Sequence, residues 1–278
     1  MRFTTVRLNG ASRVGRVEGD LVVLLPFSDL GELLSSGDDW MAVAGSHQGD
    51  TLPLSDIDFA PLIHRPEKIF CVGLNYASHA EEANLDIPAY PTLFAKYARA
   101  LIGPFDDLVL PAVSSKVDWE VELAVVIGTP VRNVTEADAD AAVAGYAIAN
   151  DISMRDWQLR TSQFLAGKTF ESSTPFGPYL VTPDEVDHGR SLNMSLTVDG
   201  ETMQSASTDE LVFSVPQLIS YISSIITLVP GDVILTGTAA GVGHVRNPPT
   251  YLQPGNVVEA KIDGLGTQTT HCVSDEEA

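Results

Sequence analysis

Apolar side chains alternate with polar ones most regularly over residues 117–127. Every second residue in the centre of this stretch is apolar: Trp119, Val121, Leu123, Val125 and Ile127. This period of two predicts a β-strand with one fully apolar face. The other face carries Glu120 and Glu122 and then continues with small or apolar residues, so it is also poorly suited to contact with water.

Shorter apolar runs bounded by glycine and proline turn signals predict five further strands, at residues 69–72, 146–152, 192–198, 233–236 and, as the last one, 257–262. Asp199-Gly200 predicts a hairpin turn. Helical patterns occupy residues 76–83, with Asn75 as N-cap and Asn84 as stop, 135–144, with Thr135 as N-cap, and 216–226. Because the helices do not alternate regularly with the strands, we expect an α+β, mainly β fold, not a doubly wound parallel sheet.

Pro61 and Pro66 separate a small N-terminal module from the rest of the chain. We therefore predict two domains, residues 1–62 and 67–275. A length of 278 residues accommodates one large domain with a small appended one.

The chain is strongly acidic, with a formal net charge of −21 and a pI of about 4.4. Such a surface disfavours nucleic acid and anionic lipid as partners, and an anionic substrate would need local cations. Two distant cysteines, Cys71 and Cys272, argue against a disulfide framework, and no apolar run is long enough to span a membrane. These features favour a cytoplasmic protein without a nucleic-acid or membrane partner.

Glu120 and Glu122 point to the same side if residues 117–127 form one strand. Two buried carboxylates repel each other and resist desolvation, and a divalent cation relieves both problems. Asp151, at the end of the strand at 146–152, supplies a third carboxylate. An all-oxygen site of this kind suits Mg²⁺ or Mn²⁺, and Ca²⁺ also fits. The alternative interpretation is an edge strand with solvated glutamates and a turn-forming aspartate.

His79 and Glu82 lie three residues apart on a predicted helix, so they share one face. A histidine oriented by a carboxylate can act as a general base for water, although an exposed polar helix explains the same pattern. Lys168 stands among small and apolar residues, where it can stabilise an oxyanion or hold a carboxylate.

Two further features carry weaker signals. Arg155 and Gln158 share a helical face if a helix starts after Asp151. The glycine-rich segment from Thr236 through Gly237 and Thr238 to Gly243 follows a strand, and its N–H groups can bind a carboxylate or simply form a turn.

The chain resembles the fumarylacetoacetate hydrolase family over about residues 68–267. Five segments carry the resemblance in the family's order: Val72-Gly-Leu-Asn-Tyr-Ala-Ser-His79, Trp119-Glu-Val-Glu-Leu-Ala-Val-Val-Ile-Gly128, Asn150-Asp-Ile-Ser-Met-Arg-Asp-Trp-Gln158, Gly167-Lys-Thr-Phe170 and Pro230-Gly-Asp-Val-Ile-Leu-Thr-Gly-Thr238, continuing to Gly243. Among the family's members, the similarity is to bacterial acylpyruvases and 2-hydroxyhepta-2,4-diene-1,7-dioate isomerases.

The resemblance implies a mixed β-roll catalytic domain with a small N-terminal domain, a homodimer, and Mg²⁺ or Mn²⁺ as cofactor. The family's functional positions fall on residues already singled out. They are the metal ligands Glu120, Glu122 and Asp151, the water-activating pair His79 and Glu82 in a lid, and the substrate contacts Arg155, Gln158, Lys168, Gly237 and Thr238.

Two departures from the family pattern leave questions open. Glu81 competes with Glu82 as the partner of His79, although helical spacing favours Glu82. Lys96 matches the family, but Arg99 is an additional cation that either reads a second substrate carboxylate or pairs with a surface acid.

The leading functional hypothesis is metal-dependent hydrolysis of a carbon–carbon bond in an acylpyruvate such as fumarylpyruvate, in the breakdown of aromatic compounds. The metal would hold the 2-oxo acid, and Lys168 would help stabilise the enolate that forms. Isomerisation of a hydroxydienedioate and decarboxylation of an oxaloacetate-type acid use the same site and stay open. A non-catalytic, cation-binding β module is the alternative from another class.

Overall fold

A computed structural model describes residues 1–37 and 39–275 of the chain. The helices, in chain order, are α1 Leu30–Leu34, α2 Trp40–Ser46, α3 Ala77–Glu82, α4 Glu136–Ala139, α5 Arg155–Gln158, α6 Leu165–Lys168 and α7 Val215–Ile225. The strands are β1 Arg2–Leu8, β2 Ala11–Glu18, β3 Leu21–Leu24, β4 Thr51–Pro53, β5 Asp58–Phe59, β6 Ile69–Gly73, β7 Thr92–Lys96, β8 Leu101–Ile102, β9 Leu108–Leu110, β10 Val117–Asp118, β11 Val121–Ile127, β12 Val143–Asn150, β13 Ser153–Met154, β14 Thr174–Pro175, β15 Leu180–Val181, β16 Asn193–Val198, β17 Glu201–Ser207, β18 Val233–Thr238, β19 Val257–Ile262 and β20 Gly266–Ser274.

Most of the strands join one large mixed sheet in the order β4-β3-β2-β1-β15-β12-β11-β18-β6-β7, with β5 beside β1. A second sheet has the order β17-β16-β19-β20-β9. Strands thus dominate and helices are few and short, which confirms the expected α+β, mainly β fold. The N-terminal strand β1 pairs with β15 in the large sheet, and the division at residues 62 and 67 stays a prediction.

The central strand β11 is buried on both faces. Its residues Val121, Leu123 and Val125 pack into a core shared with the second sheet and α7. Ala124 and Val126 face a second core, which the N-terminal helices help to fill. The prediction that neither face of this strand is suited to water is therefore confirmed.

Several predicted elements differ from those observed, for local reasons. The strand at 117–127 is interrupted at Trp119 and Glu120, because the side chain of Asp118 accepts the N–H of Trp119. The helix predicted at 135–144 ends as α4 at Ala139, since the following apolar residues enter strand β12. The N-cap of α3 is Tyr76, not Asn75.

Other predictions hold with small shifts. The Asp199-Gly200 hairpin joins β16 and β17, and both residues have positive φ, as such a turn requires. Helix α7 covers the predicted 216–226 within one residue at each end, and the side chain of Gln217 accepts the N–H of Ser214 at its start. The strand at 257–262 is observed, but it is not the last one, because β20 follows.

Candidate active site

Three carboxylates meet where strands β11 and β12 lie side by side. These strands are antiparallel, and Val121 pairs with Asn150, so the start of β11 adjoins the end of β12. Glu120 precedes β11, Glu122 lies within β11 and Asp151 follows β12. One oxygen from each carboxylate lies within 4.8 Å of the others, and the three residues are at most 5% exposed.

The pairing of Glu120 with Glu122 does not arise from one continuous strand, as the sequence suggested. Glu120 lies in the break between β10 and β11, where its N–H donates to the side chain of Asn150 at 3.0 Å. Its carbonyl oxygen accepts the N–H of Asp151 at 2.8 Å. These two bonds hold the break against the end of β12 and bring Glu120 close to Asp151.

Three buried cations surround the carboxylates. Lys168 Nζ lies 2.7 Å from Glu120 Oε2 and 2.9 Å from Asp151 Oδ2. Lys96 Nζ lies 2.6 Å from Asp151 Oδ1, and Arg155 Nη2 lies 2.7 Å from Glu120 Oε1. Among the described residues no cation forms a salt bridge with Glu122, and its Oε2 accepts the N–H of Gly237 at 2.7 Å.

Because of these different contacts, the pKa values of Glu120 and Glu122 shift in opposite directions. Burial opposes ionisation of Glu120, but Lys168 and Arg155 outweigh it and lower the pKa of Glu120 to about 2. Burial, reinforced by Asp151 and Glu120, raises the pKa of Glu122 well above its usual value. Burial also opposes the charged form of Lys168, yet Asp151 and Glu120 raise its pKa overall.

This donor set fits a divalent cation. Each carboxylate oxygen has two lone pairs, so Glu120 and Asp151 can keep their lysine contacts and still offer oxygen to an ion. An added positive charge would relieve the repulsion that raises the pKa of Glu122. Hard oxygen ligands without cysteine or histidine favour Mg²⁺ or Mn²⁺ over Zn²⁺.

His79 and Glu82 form a pair on α3, as the spacing predicted. His79 Nδ1 lies 2.8 Å from Glu82 Oε1, and Glu82 Oε2 accepts the N–H of Gly241 at 2.9 Å. Glu81 is exposed, so the structure places Glu82, not Glu81, beside the histidine. His79 Nε2 has no hydrogen-bond partner in the part of the chain that the structure describes.

One cavity of about 190 Å³ connects these groups. Its walls carry His79 from α3, two of the three carboxylates and Lys168, together with Arg155, Gln158 and Thr238. Apolar side chains complete it, among them Phe94 and Phe164, whose rings meet edge to face. The predicted site residues, which span the chain from His79 to Thr238, are therefore brought to one place.

The predicted substrate contacts are already engaged with protein groups. Arg155 Nε donates to Asp118 at 2.8 Å and its Nη1 donates to Gln158 at 2.9 Å. Thr238 Oγ1 donates to the carbonyl oxygen of Val121 at 3.0 Å. The N–H of Gly237 donates to the carboxylate of Glu122, and a role for Gly237 as a substrate contact stays a prediction.

Sequence reasoning missed or left open three residues near this site. Asp118 is fully buried and accepts four hydrogen bonds, from Trp119, Arg155, Gly243 and His244. Lys96 binds Asp151, a contact that its strand position alone did not indicate. Arg99, in contrast, is 83% exposed and pairs with Glu171, so the surface alternative for this residue is the observed one.

No helix in the described residues is long and apolar enough to cross a membrane. Cys71 and Cys272 are both free and buried.

Comparison with known proteins identifies relatives over most of the chain. A Bos taurus protein named oxaloacetate tautomerase FAHD2A, mitochondrial, is 45% identical over 240 residues, 84% of this chain and 76% of that protein. The structure of fumarylacetoacetate hydrolase from Exiguobacterium antarcticum matches with a TM-score of 0.86 and 33% identity, covering 99% of both chains. Maleylpyruvate hydrolase from Sphingobium sp. SYK-6, in complex with manganese(II) and pyruvate, matches with a TM-score of 0.81 and 28% identity, again over 99% of both chains.

The family model described as fumarylacetoacetate (FAA) hydrolase C-terminal matches residues 68–273, a range that contains every residue of the cavity described above. With this match and the 45% identical relative, the chain belongs to the fumarylacetoacetate hydrolase family.

Proposed function

We propose that this protein is a divalent-metal-dependent enzyme that interconverts the keto and enol forms of a small 2-oxo acid, with oxaloacetate as the leading substrate. The observation that carries the proposal is that the paired His79 faces the same cavity as the buried carboxylates and Lys168. The 45% identity to a protein named oxaloacetate tautomerase supports the choice of substrate.

Glu120, Glu122 and Asp151 would hold Mg²⁺ or Mn²⁺. When bound, the ion would supply Lewis-acid polarisation of a carbonyl oxygen and a fixed point for the substrate carboxylate. The buried groups around it comprise four carboxylates, counting Asp118, and the three cations Lys96, Arg155 and Lys168. With these four carboxylates ionised, a bound divalent ion would leave the group with one net positive charge, which favours an anionic substrate.

His79 would carry the proton. In the keto-to-enol direction, its free Nε2 takes a proton from the carbon beside the carbonyl, and the C–H electron pair becomes the new carbon–carbon double bond. The carbonyl π electrons move to oxygen, which leaves an oxyanion close to the Lys168 ammonium. A proton from solvent then adds to this oxygen while His79 releases the proton that it took to solvent, so the enzyme returns to its starting state, and the reverse direction uses the same groups. Glu82 keeps Nδ1 protonated and so leaves Nε2 free as the base.

Hydrolysis of an acylpyruvate is the second candidate, and it remains the prediction made from the sequence. Here His79 would remove a proton from water, and the hydroxide would attack the distal carbonyl carbon. The carbon–carbon bond between that carbon and the pyruvate part of the substrate would then break and release the enolate of pyruvate. The relative crystallised with manganese(II) and pyruvate supports this alternative. Decarboxylation and dienoate isomerisation would end on, or pass through, the same kind of enolate.

The deciding experiment supplies the protein with Mg²⁺ or Mn²⁺ and measures two reactions in parallel. The first is loss of the ultraviolet absorbance of enol-oxaloacetate, and the second is release of pyruvate from fumarylpyruvate. The proposal expects metal-dependent acceleration of the first reaction, and a preference for the second would favour hydrolysis. Activity in neither assay, together with thermal stabilisation by the metal, would favour the non-catalytic module.

A homodimer is also part of the proposal, by analogy with the family. Sedimentation velocity tests it, and a single species of monomer mass would contradict it.

A further inference from the structure

His244 is the feature of the cavity that the proposed chemistry does not use. It follows Gly243 in the loop after β18, and its side chain lines the same cavity as Glu122 and Lys168. Nothing in its sequence context marked it as functional. It nevertheless borders the same cavity as Glu120 and Glu122.

Two hydrogen bonds fix the orientation of this histidine. Its backbone N–H donates to Asp118 Oδ2 at 2.9 Å, and its Nδ1 lies 2.8 Å from the hydroxyl of Tyr251. Burial and then Asp118 raise the pKa of Tyr251, so the phenol keeps its proton at neutral pH. When this hydroxyl donates to Nδ1, the ring proton is on Nε2.

The remaining ring nitrogen is uncommitted. Within residues 1–37 and 39–275, His244 Nε2 has no hydrogen-bond partner. The lining cations differ in this respect, because Lys168 and Arg155 are each bonded to carboxylates of the protein. Burial and then Arg155 lower the pKa of His244, so the free ring is neutral and carries one N–H donor.

A chain of contacts locates His244 relative to the metal-binding carboxylates. The contacts run in the order Lys96, Asp151, Lys168, Glu120, Arg155, Asp118 and His244. The backbone of His244 is therefore linked to Glu120 through Asp118 and Arg155. Because His244 also lines the same cavity as Glu120 and Arg155, a small acid held by its 2-oxo carboxylate end at Glu120 and Asp151 shares that cavity with the histidine ring.

We propose that His244 is a specificity-determining residue that donates a hydrogen bond from Nε2 to the second carboxylate of a dicarboxylic 2-oxo acid. The inference rests on the proposed function, because it takes the first carboxylate to bind at the metal. Arg99, the other cation considered for this role, is exposed and paired with Glu171, so it does not serve the cavity. Tyr251 and Asp118 are positioning residues for His244.

The test uses isothermal titration calorimetry in the presence of Mg²⁺ to compare two ligands that cannot enolise. They are 3,3-difluoro-oxaloacetate, which has no hydrogen on the carbon beside the carbonyl and cannot enolise, and 3,3-difluoro-2-oxobutanoate, in which a methyl group replaces the distal carboxylate. The wild type should bind the diacid more tightly. His244→Leu should weaken diacid binding by about tenfold or more and leave the monoacid within about twofold, since one charge-assisted hydrogen bond is lost.

Two further variants make the result specific. His244→Gln retains an N–H donor and should recover part of the preference for the diacid. His271→Leu is the matched control, because it replaces an exposed histidine on β20, and it should leave both affinities unchanged. Tyr251→Phe removes only the orienting hydroxyl and should reduce the preference less than His244→Leu. This variant also preserves the test if His244→Leu does not fold.

The outcomes separate the two claims. Loss of the diacid preference in His244→Leu, with monoacid binding retained, supports the inference. Equal binding of both ligands by the wild type, or equal weakening of both in His244→Leu, overturns the inference and leaves the proposed function standing. Binding of neither ligand by the wild type overturns the proposed function and the inference with it.

Discussion

His79 Nδ1 lies 2.8 Å from Glu82 Oε1, one helical turn further along α3, and the other oxygen of Glu82 accepts the N–H of Gly241. The carboxylate thus ties the histidine to the glycine-rich loop that follows β18. This arrangement fixes the ring in one orientation and assigns its free nitrogen to the cavity.

Glu82→Gln should therefore lower kcat by roughly 10²-fold, the lower end of what general acid–base catalysis contributes, with a smaller effect on KM. The amide can still contact the loop but no longer stabilises the charged imidazole. Glu81→Gln is the matched control, because Glu81 is the exposed neighbour. Steady-state kinetics of both variants tests which glutamate is the partner of His79. An equal loss of kcat in Glu81→Gln would contradict the role assigned to Glu82.

Lys168→Met should reduce kcat by roughly 10²–10³-fold, because the oxyanion loses its nearest cation in a buried site. Arg99→Ala should stay within about twofold of the wild type, since its side chain is exposed and bound to Glu171. The comparison is made at saturating Mn²⁺, so that weaker metal binding does not mimic a chemical effect. Full activity of Lys168→Met would contradict the enolate-stabilising assignment.

Asp118→Asn should lower the free energy of unfolding by about 3–5 kcal/mol, the usual cost of breaking a buried ion pair. Asp118 is fully buried, and the amide replaces an oxygen that accepts from Arg155 and His244 with a group that cannot accept. Asp156→Asn is the control, because Asp156 follows Arg155 in the chain and is more exposed than Asp118. This variant should change the free energy of unfolding by less than about 1 kcal/mol. Urea denaturation measures both, and similar small effects would show that Asp118 does not anchor the loop.

Removal of the titrating carboxyl group of Glu122 should weaken the pH dependence of the stability of the metal-free protein. Burial, together with Asp151 and Glu120, raises the pKa of Glu122. Between the ordinary glutamate pKa and this raised value, the folded state holds a proton that the unfolded chain has released. The free energy of unfolding contributed by this group therefore falls as pH rises through that range.

Glu122→Gln removes this contribution. In EDTA the variant should be more stable than the wild type at neutral pH, and its stability should change less with pH. It should also lose most of the stabilisation that Mg²⁺ gives the wild type, which is about 2.7 kcal/mol at a free concentration of 100 Kd. Thermal unfolding across pH, with and without Mg²⁺, checks both statements. A variant less stable than the wild type in EDTA at neutral pH would argue against the raised pKa.

The burial of Glu122 was predictable from the sequence because its strand has no face suited to water. Val121, Leu123 and Val125 alternate with Ala124 and Val126, so Glu122 had to be buried and in need of a partner. The His79 and Glu82 pair was predictable because it depends only on the spacing within one helical turn.

Contacts between distant segments were not predictable in this way. Asp118 looked like one more residue of a continuous strand, yet it ends that strand and anchors a loop 125 residues further on. His244 and Tyr251 have no periodic pattern, and only the folded loop brings them to the cavity. Tertiary hydrogen bonds of this kind outweigh local patterns, which is also why α4 is shorter than its sequence suggested.

The most direct test of the central claim is the rate of enol-oxaloacetate ketonisation with Mn²⁺, measured for the wild type and for Glu122→Gln, with EDTA-treated enzyme as reference. The account predicts acceleration by the wild type that EDTA abolishes and added Mn²⁺ restores, and little or no acceleration by the variant. Equal acceleration by wild type, variant and EDTA-treated enzyme would contradict a metal-dependent role for these buried carboxylates.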